Sequence, residues 1–512
     1  MKVHNRLFGL SSVSLVILLG TIVKFALHLY YAPGYGYFVD EFYTIALSRH
    51  LAWGYVDLPP LVPALVALSR ALLGESFLAQ HIVPALAGAL TLVFVCLIIR
   101  EFGGEAFAVA LGAMGFIIVP IWLNIDSIFC YDSIDQLILA GFLYTLVRFL
   151  RSGNHKLWPL LGLIAGIACL TKMTILFLGP GFLVALLVSK YRKDLLTPWP
   201  WLGAAICLVV VSPYLLWQYA NHWPTLEYWT TYDTERMYHA SVWQYLTNLT
   251  IYMSPFVMPF YFAGLYRIFR PVKGVNYAFL GILFLFTLGL MYAARMPARL
   301  LAELFIPLLA GGAVFLEELL TGLRWEKAGQ VIAPAYLLII GILAMPLNLP
   351  ILPVNQMEAY ADHFKMYYQP LREFNFAWAY PPLLSGRLGW DTLARDVAGV
   401  YNALPLEDKK IAGIYSEQYA LAAAMDLLGP QYGLPHAVSG HLNYYLWGPG
   451  YSWDVMVIIA SKTNNMSVFF DECELKAIGQ HDFEPFGHAY IFVCRKPKVP
   501  ADVIWSSIKS YR

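Results

Sequence analysis

The stretch LAQHIVPALAGALTLVFVCLII, Leu78 to Ile99, contains no aspartate, glutamate, lysine or arginine. A helix rises about 1.5 Å per residue, so this run alone crosses the roughly 30 Å hydrocarbon core of a bilayer. The rest of the chain has the same character. Of its 512 residues 59% are hydrophobic and 13% charged, against about 25% charged in soluble domains. The chain therefore reads as an integral membrane protein surrounded by membrane lipids. A net charge of +1 supplies no basic field, so no nucleic-acid partner is expected.

Working outward with the same criterion gives eleven spans, near 8–29, 78–99, 105–123, 133–150, 157–170, 174–189, 199–217, 247–266, 275–293, 300–318 and 329–347. The first is too long for a signal-peptide core and lacks a small-residue cleavage site, so it reads as a retained span. The run from Leu61 to Leu73 holds Pro63 and Arg70 and is shorter; it reads as a helix at the membrane interface. Cytoplasmic loops carry the excess of lysine and arginine. Placing Lys2 and Arg6 inside also puts Arg100, Arg148, Arg151, Lys156, Lys190, Arg192, Lys193, Arg267, Arg270, Lys273, Arg324 and Lys327 inside. The opposite loops hold fewer: Arg49, Arg70, Lys172, Arg236, Arg295 and Arg299. The expected location is the plasma (inner) membrane, multi-pass, with everything after Pro350 on the extracytoplasmic side.

From about Pro350 the composition changes. KIAGIYS, DVMVIIAS and AYIFVCRK read as strands, and EQYALAAAMDLLG as a helix between Gly/Pro turns. The expected organisation is a transmembrane catalytic domain over 1–349, with a first outer loop at 30–77, and an extracytoplasmic α/β domain over 350–512. Cys473 and Cys494 fall in the latter, where an oxidising compartment permits a bridge. Cys96, Cys130, Cys169 and Cys207 lie in or beside apolar runs without a CxxC pair and read as small buried hydrophobes.

Against this apolar background the outer-side acids stand out. FVDEFY places Asp40 and Glu41 at the head of TIALSRHLAWG, an amphipathic surface helix. An N-terminal cap accounts for one such acid. It does not account for NIDSIFCYDSID, which sets Asp126, Asp132 and Asp135 at the outer ends of the third and fourth spans. Asp132 and Asp135, three apart, share a helix face. Acids at this depth normally face a cavity or a partner. On the same side lie Lys172 in LTKMT and Arg295 and Arg299 in ARMPARLLAEL. These cations either snorkel to lipid phosphate or clamp a substrate phosphate. The loop from Gln218 to Gln244 is rich in Trp and Tyr, as both a sugar-binding surface and an interfacial belt would be.

Four stretches in this order, FVDEFYTIALSRHLAWGYVDLPPL, YDSIDQLILAGFLYTLVRFL, GLIAGIACLTKMTILFLGPGFL and NHWPTLEY, resemble bacterial family-39-like glycosyltransferases of the GT-C superfamily. These are akin to protein O-mannosyltransferases and lipid A aminoarabinose transferases. The resemblance runs from about Val3 to Glu317, and GPQYGLPHAVSGHLNYYLWGP is similar to the outer domain of bacterial members. It implies a polytopic α-helical membrane protein of GT-C type with about eleven transmembrane helices. It also implies transfer of a sugar from a polyprenyl-phosphate-linked donor to a lipid, glycan or protein acceptor on the outer face.

Carried over residue by residue, the family's first-loop acids fall on Asp40 and Glu41, with Asp40 as the catalytic base. The second-loop acid falls on Asp132 or Asp126. Asp135, His222 and Glu227 join the acceptor- and sugar-positioning set, and Lys172, Arg295 and Arg299 the phosphate-binding set. Relatives often carry Lys-x-Tyr-Tyr before the tenth span, where this chain has RMPARLLAELFIP. Attack on the sugar from the face opposite the phosphate inverts the anomeric centre through an oxocarbenium-like state. A divalent cation held by the acids is compatible with the pattern, although no His/Asp spacing demands one. The competing class is a transporter or lipid flippase using intramembrane acids; it predicts an inverted repeat, and none is visible. A non-catalytic scaffold predicts that the acids are dispensable.

Overall fold

The structure of the protein, a computed structural model, describes residues 11–235, 240–271, 275–368, 370–371, 381–462, 465–479 and 488–511. Lys2, Arg6, Arg236 and Lys273, four of the charges that orient the chain, lie outside the described residues. Two compact units are present. The first comprises Met1–Ala32, Leu73–Leu216 and Tyr238–Glu373; the second comprises Pro33–Leu72, Trp217–Met237 and Phe374–Arg512.

In the first unit every apolar run is helical, but not every run is one helix. Among the described residues five helices are long and apolar enough to cross a membrane: Phe77–Glu101, Tyr131–Ser152, Pro198–Ala220, Ala298–Leu320 and Glu326–Leu347. A sixth span forms if Ile175–Val188 and Lys190–Leu196, bent by 101°, are taken together. Ser12–Leu27, Ala106–Ile118, His155–Cys169 and Ala278–Ala293 are shorter apolar helices of this unit.

Two expected spans are broken. The run 105–123 divides at Val119, which adopts an extended backbone ahead of Pro120, the conformation that the clash with a following proline ring favours. The run 247–266 divides into Val242–Met253 and Met258–Phe269. Its break contains Ser254 at φ 66° and Pro255, and Pro259 opens the next helix. The aromatic stretch expected as a loop is largely helical: Pro198–Ala220 extends into it, and Pro224–Glu235 follows, with Pro224 suited to a first helical position.

Helix packing in this unit depends on small residues. Helices Met258–Phe269 and Phe305–Leu320 approach so closely that a Cβ on Gly264 would strike the Leu308 carbonyl, and one on Gly312 the Phe260 carbonyl. Without a hydrophobic drive between helices in lipid, such close backbone approach is the main source of attraction. By contrast Pro198–Ala220 is only 17% buried over its most apolar stretch and presents Leu208, Val209 and Leu216 outward.

The second unit is α/β. Strands β1 (Gly413–Ser416), β2 (Ala437–Val438), β3 (Val455–Ala460), β4 (Phe470–Gly479) and β5 (Ala489–Pro497) form one sheet in the order β2-β1-β3-β5-β4. β1 runs parallel to β2 and β3, while β5 is antiparallel to β3 and β4. All of β3 is buried, which is why VMVIIA is apolar throughout rather than alternating. β4, at the edge, carries Glu472 and Glu474 paired with Lys496 and Lys476. Charge on an edge strand discourages pairing with other chains, and it also hides the strand from a search for apolar runs. Cys473 and Cys494, direct partners across β4 and β5, form a disulfide. Cys96, Cys130 and Cys169 are buried as expected; Cys207 is only half-buried.

The helices Val39–Arg49 and Leu61–Leu73 also belong to this unit. Val39–Arg49 packs against helix Tyr419–Leu428, which follows β1. The residues leading into it are strapped to the later chain by Gly36 N–H to Arg387 O (3.1 Å) and Val39 N–H to Gly386 O (3.2 Å).

Candidate functional site

The two acids at the head of helix Val39–Arg49 have different surroundings. Glu41 is buried, and its Oε2 accepts the Phe38 N–H at 2.7 Å. That bond satisfies one of the orphan donors of a helix N-terminus. The Arg387 guanidinium, itself buried, lies 3.7 Å from the same oxygen. Asp40 is half-buried. Its Oδ1 lies 3.5 Å from the Tyr419 hydroxyl, and its main-chain carbonyl accepts the Thr44 hydroxyl at 2.6 Å. The capping acid is therefore Glu41, while Asp40 stays half-buried at the head of the same helix.

The neighbouring groups come from distant parts of the chain. Tyr43 donates to Asp57 Oδ1 at 3.0 Å and accepts from the Asn443 N–H at 3.3 Å, while Asn443 Oδ1 accepts the Val56 N–H at 2.7 Å. Burial first, and the Asp57 carboxylate second, push the Tyr43 phenol well above its ordinary range, so it stays a neutral donor. Residues 218–228 join the same unit through Gln218, whose Nε2 donates to Tyr55 O at 3.2 Å and to Thr225 Oγ1 at 2.7 Å. The two residues expected to act in this stretch are exposed: His222, at φ 63°, and Glu227, paired with Lys509 at 2.8 Å.

The acids of the first unit separate in a similar way. Asp126 is fully buried against Lys24 at 2.7 Å. Lys24 Nζ also donates to Trp122 O at 2.8 Å, and Gln136 Nε2 donates to the other Asp126 oxygen at 3.0 Å. The carboxylate lies against Gly88, where a Cβ would overlap it. A lone lysine in the first apolar run thus has its counter-charge 102 residues later, and sequence spacing gives no sign of the pairing.

Asp132 stands in the first turn of Tyr131–Ser152 and pairs with Lys172, whose ammonium also lies 5.1 Å from the Tyr131 ring. Asp135, one turn on, is buried and interacts electrostatically with Lys172, Asp132 and Glu303. Glu303, also buried, lies in ARMPARLLAEL and was hidden there behind the two arginines. Asp132, Asp135 and Lys172 are therefore brought together, with Glu303 added, while Asp126 is committed to the core. Among the described residues no group of three or more His, Cys, Asp or Glu side chains is placed to hold a metal ion.

Arg299 is half-buried on Ala298–Leu304, and Arg295 is exposed. Arg295 has φ 57° and follows helix Ala278–Ala293 in a Schellman turn. Its N–H bonds Tyr292 O at 3.0 Å, and the Met296 N–H bonds Met291 O at 2.9 Å. Glycine is the favoured residue at that position, since the left-handed region costs another L-residue about 1–2 kcal/mol. The sequence reading expects the Arg295 side chain to hold phosphate, and this turn offers a test of that expectation. Arg295→Gly is expected to leave thermal stability equal to or above wild type while weakening donor use; a lowered melting temperature with unchanged donor KM refutes this.

Residues 57–217 match the family model for dolichyl-phosphate-mannose-protein mannosyltransferase. Among curated proteins none matches the sequence. The fold is similar to that of ArnT from Cupriavidus metallidurans bound to undecaprenyl phosphate: TM-score 0.58 at 14% identity, covering 94% of this chain and 97% of that one. The apo state of the same protein gives TM-score 0.57 at 14% identity, covering 97% and 98%. The Archaeoglobus fulgidus oligosaccharyltransferase tethered to an acceptor peptide gives TM-score 0.51 at 11% identity, covering 83% of this chain and 64% of that one. At these identities the structural likeness is one of fold. The expected resemblance to GT-C glycosyltransferases is borne out by the sequence match and by the fold.

Proposed function

We propose that this protein is an inverting GT-C glycosyltransferase that moves a sugar from a polyprenyl-phosphate-linked donor to a lipid, glycan or protein acceptor at the extracytoplasmic face of the plasma membrane. The observation that carries the reading is the division of labour at the head of helix Val39–Arg49. Glu41 is committed to the cap and Arg387, whereas Asp40 stands half-buried beside the Tyr419 hydroxyl, a placement that supports it as the proton acceptor. A sugar on a phosphate carrier is already activated. The enzyme has then to deprotonate the acceptor hydroxyl, orient the sugar and stabilise the departing phosphate.

In this reading Asp40 is the general base and Glu41 positions it. Asp132, rather than the core-bound Asp126, orients the sugar, with Asp135 behind it. Lys172, Arg295 and Arg299 hold phosphate, and His222 and Glu227 contribute to acceptor capture. The Cys473–Cys494 disulfide supports an oxidising compartment for the tail. Mass spectrometry of envelope glycolipids and glycoproteins from cells with and without this chain tests the reading. Loss of a single sugar from one class of molecule is expected, restored by the wild-type chain. Identical spectra would count against a transferase.

A further inference from the structure

Helix Tyr419–Leu428 begins directly after the carboxyl end of β1. From β1 the chain leaves toward β2 on one side, while β3 lies on the other. Ligand sites of open α/β sheets form at such carboxyl ends, where the strand order changes direction. The first residue of the helix is Tyr419, half-exposed although its helix is otherwise largely buried. Its ring packs against those of Tyr43, at 4.5 Å between centroids, and His441, at 5.0 Å. Its own N–H donates to His441 Nδ1 at 3.3 Å. The ring is thus held by two neighbouring rings and at its backbone, and its hydroxyl reaches to 3.5 Å from Asp40 Oδ1.

From this geometry we infer that Tyr419 is a positioning residue for the reaction: its hydroxyl donates to Asp40 and holds the carboxylate in the orientation from which it takes the acceptor proton. The inference rests on the assignment of Asp40 as the base. It gives the tail a part in the chemistry, because the orienting group and the histidine that fixes it both come from the segment after Phe374. A base a fraction of an ångström or some tens of degrees from its productive geometry loses much of its rate.

The test separates the hydroxyl from the ring. Tyr419→Phe keeps the packing with Tyr43 and His441 and removes only the donor; Tyr419→Ala removes both. Rates are read in membrane vesicles as formation of the product missing from cells lacking the chain, normalised to folded protein. Tyr419→Phe is expected to accumulate as wild type and to lose about tenfold in kcat with donor KM unchanged. Tyr419→Ala should lose at least as much. Should Tyr419→Phe fail to fold, O-methyltyrosine at position 419 keeps the ring, blocks the donor and is expected to show the same loss.

If the ring matters only for packing, the Phe variant keeps full rate and only Ala suffers, which overturns the inference. Asp40→Asn is measured alongside. An active Asp40→Asn enzyme overturns both the base assignment and the inference, whereas an inactive one beside a fully active Tyr419→Phe overturns the inference alone.

Discussion

Asp40→Asn is expected to abolish sugar transfer in membranes while the protein still inserts, folds and accumulates. The substitution is isosteric and removes a proton acceptor. General-base catalysis contributes about 10²–10⁴-fold, so the residual rate should fall to within about a percent of wild type or lower. Stability should change by less than about 1 kcal/mol, because the cap of helix Val39–Arg49 belongs to Glu41 and partly exposed positions tolerate such changes. Glu41→Gln should show the reverse emphasis. It weakens the bond to the Phe38 N–H and removes a negative charge 3.7 Å from the buried Arg387, so a loss of about 1–3 kcal/mol is expected. Transfer assays and thermal melts on both variants check the pair. An active Asp40→Asn enzyme, or one that fails to fold, would sink the division of roles.

Lys24→Met is expected to give the largest loss of stability of any single substitution considered. It leaves Asp126 buried with its charge unmatched, and breaking a fully buried pair in this way costs about 3–5 kcal/mol. Trp122 O also loses its donor. Neutralising the partner as well, in Lys24→Met/Asp126→Asn, should recover most of the loss, since an asparagine oxygen still accepts from Gln136 and no net charge remains buried. Melting temperatures in detergent and the yield of folded protein decide the matter. A Lys24→Met protein as stable as wild type would mean that the carboxylate is not charged or not enclosed.

The same pair marks how far sequence reasoning reached. Apolar runs located the helices, because hydrocarbon thickness sets a length that composition reveals. The breaks at Val119 and Ser254 were written in Pro120, Pro255 and Pro259, yet hydropathy averages over them and returns one span each. Strands β1, β3 and β5 were legible as apolar runs; β4, with Asp471, Glu472, Glu474 and Lys476 among its ten residues, was not. Asp40 and Glu41 were visible as a pair, but only the fold shows that one is turned into the helix cap. Asp126 and Asp132 share a stretch of chain and are indistinguishable in it. What separates them is Lys24 for one and Lys172 for the other, both distant in sequence. Arg387, Tyr419 and His441 were invisible for the same reason: their relation to Asp40 is tertiary, and no periodicity encodes it.

The straps from Gly36 and Val39 to Gly386 and Arg387 also have a consequence in time. A ribosome adds about 5–20 residues per second, so roughly 20–70 s separate the synthesis of Glu41 from that of Arg387. During that interval the acid-bearing helix has neither its buried guanidinium nor Tyr419 beside it. The carboxylate proposed as the base is made among the first residues and its surroundings are completed only by later ones, so a nascent chain stalled before its tail would carry a full set of early helices without the proposed base in place.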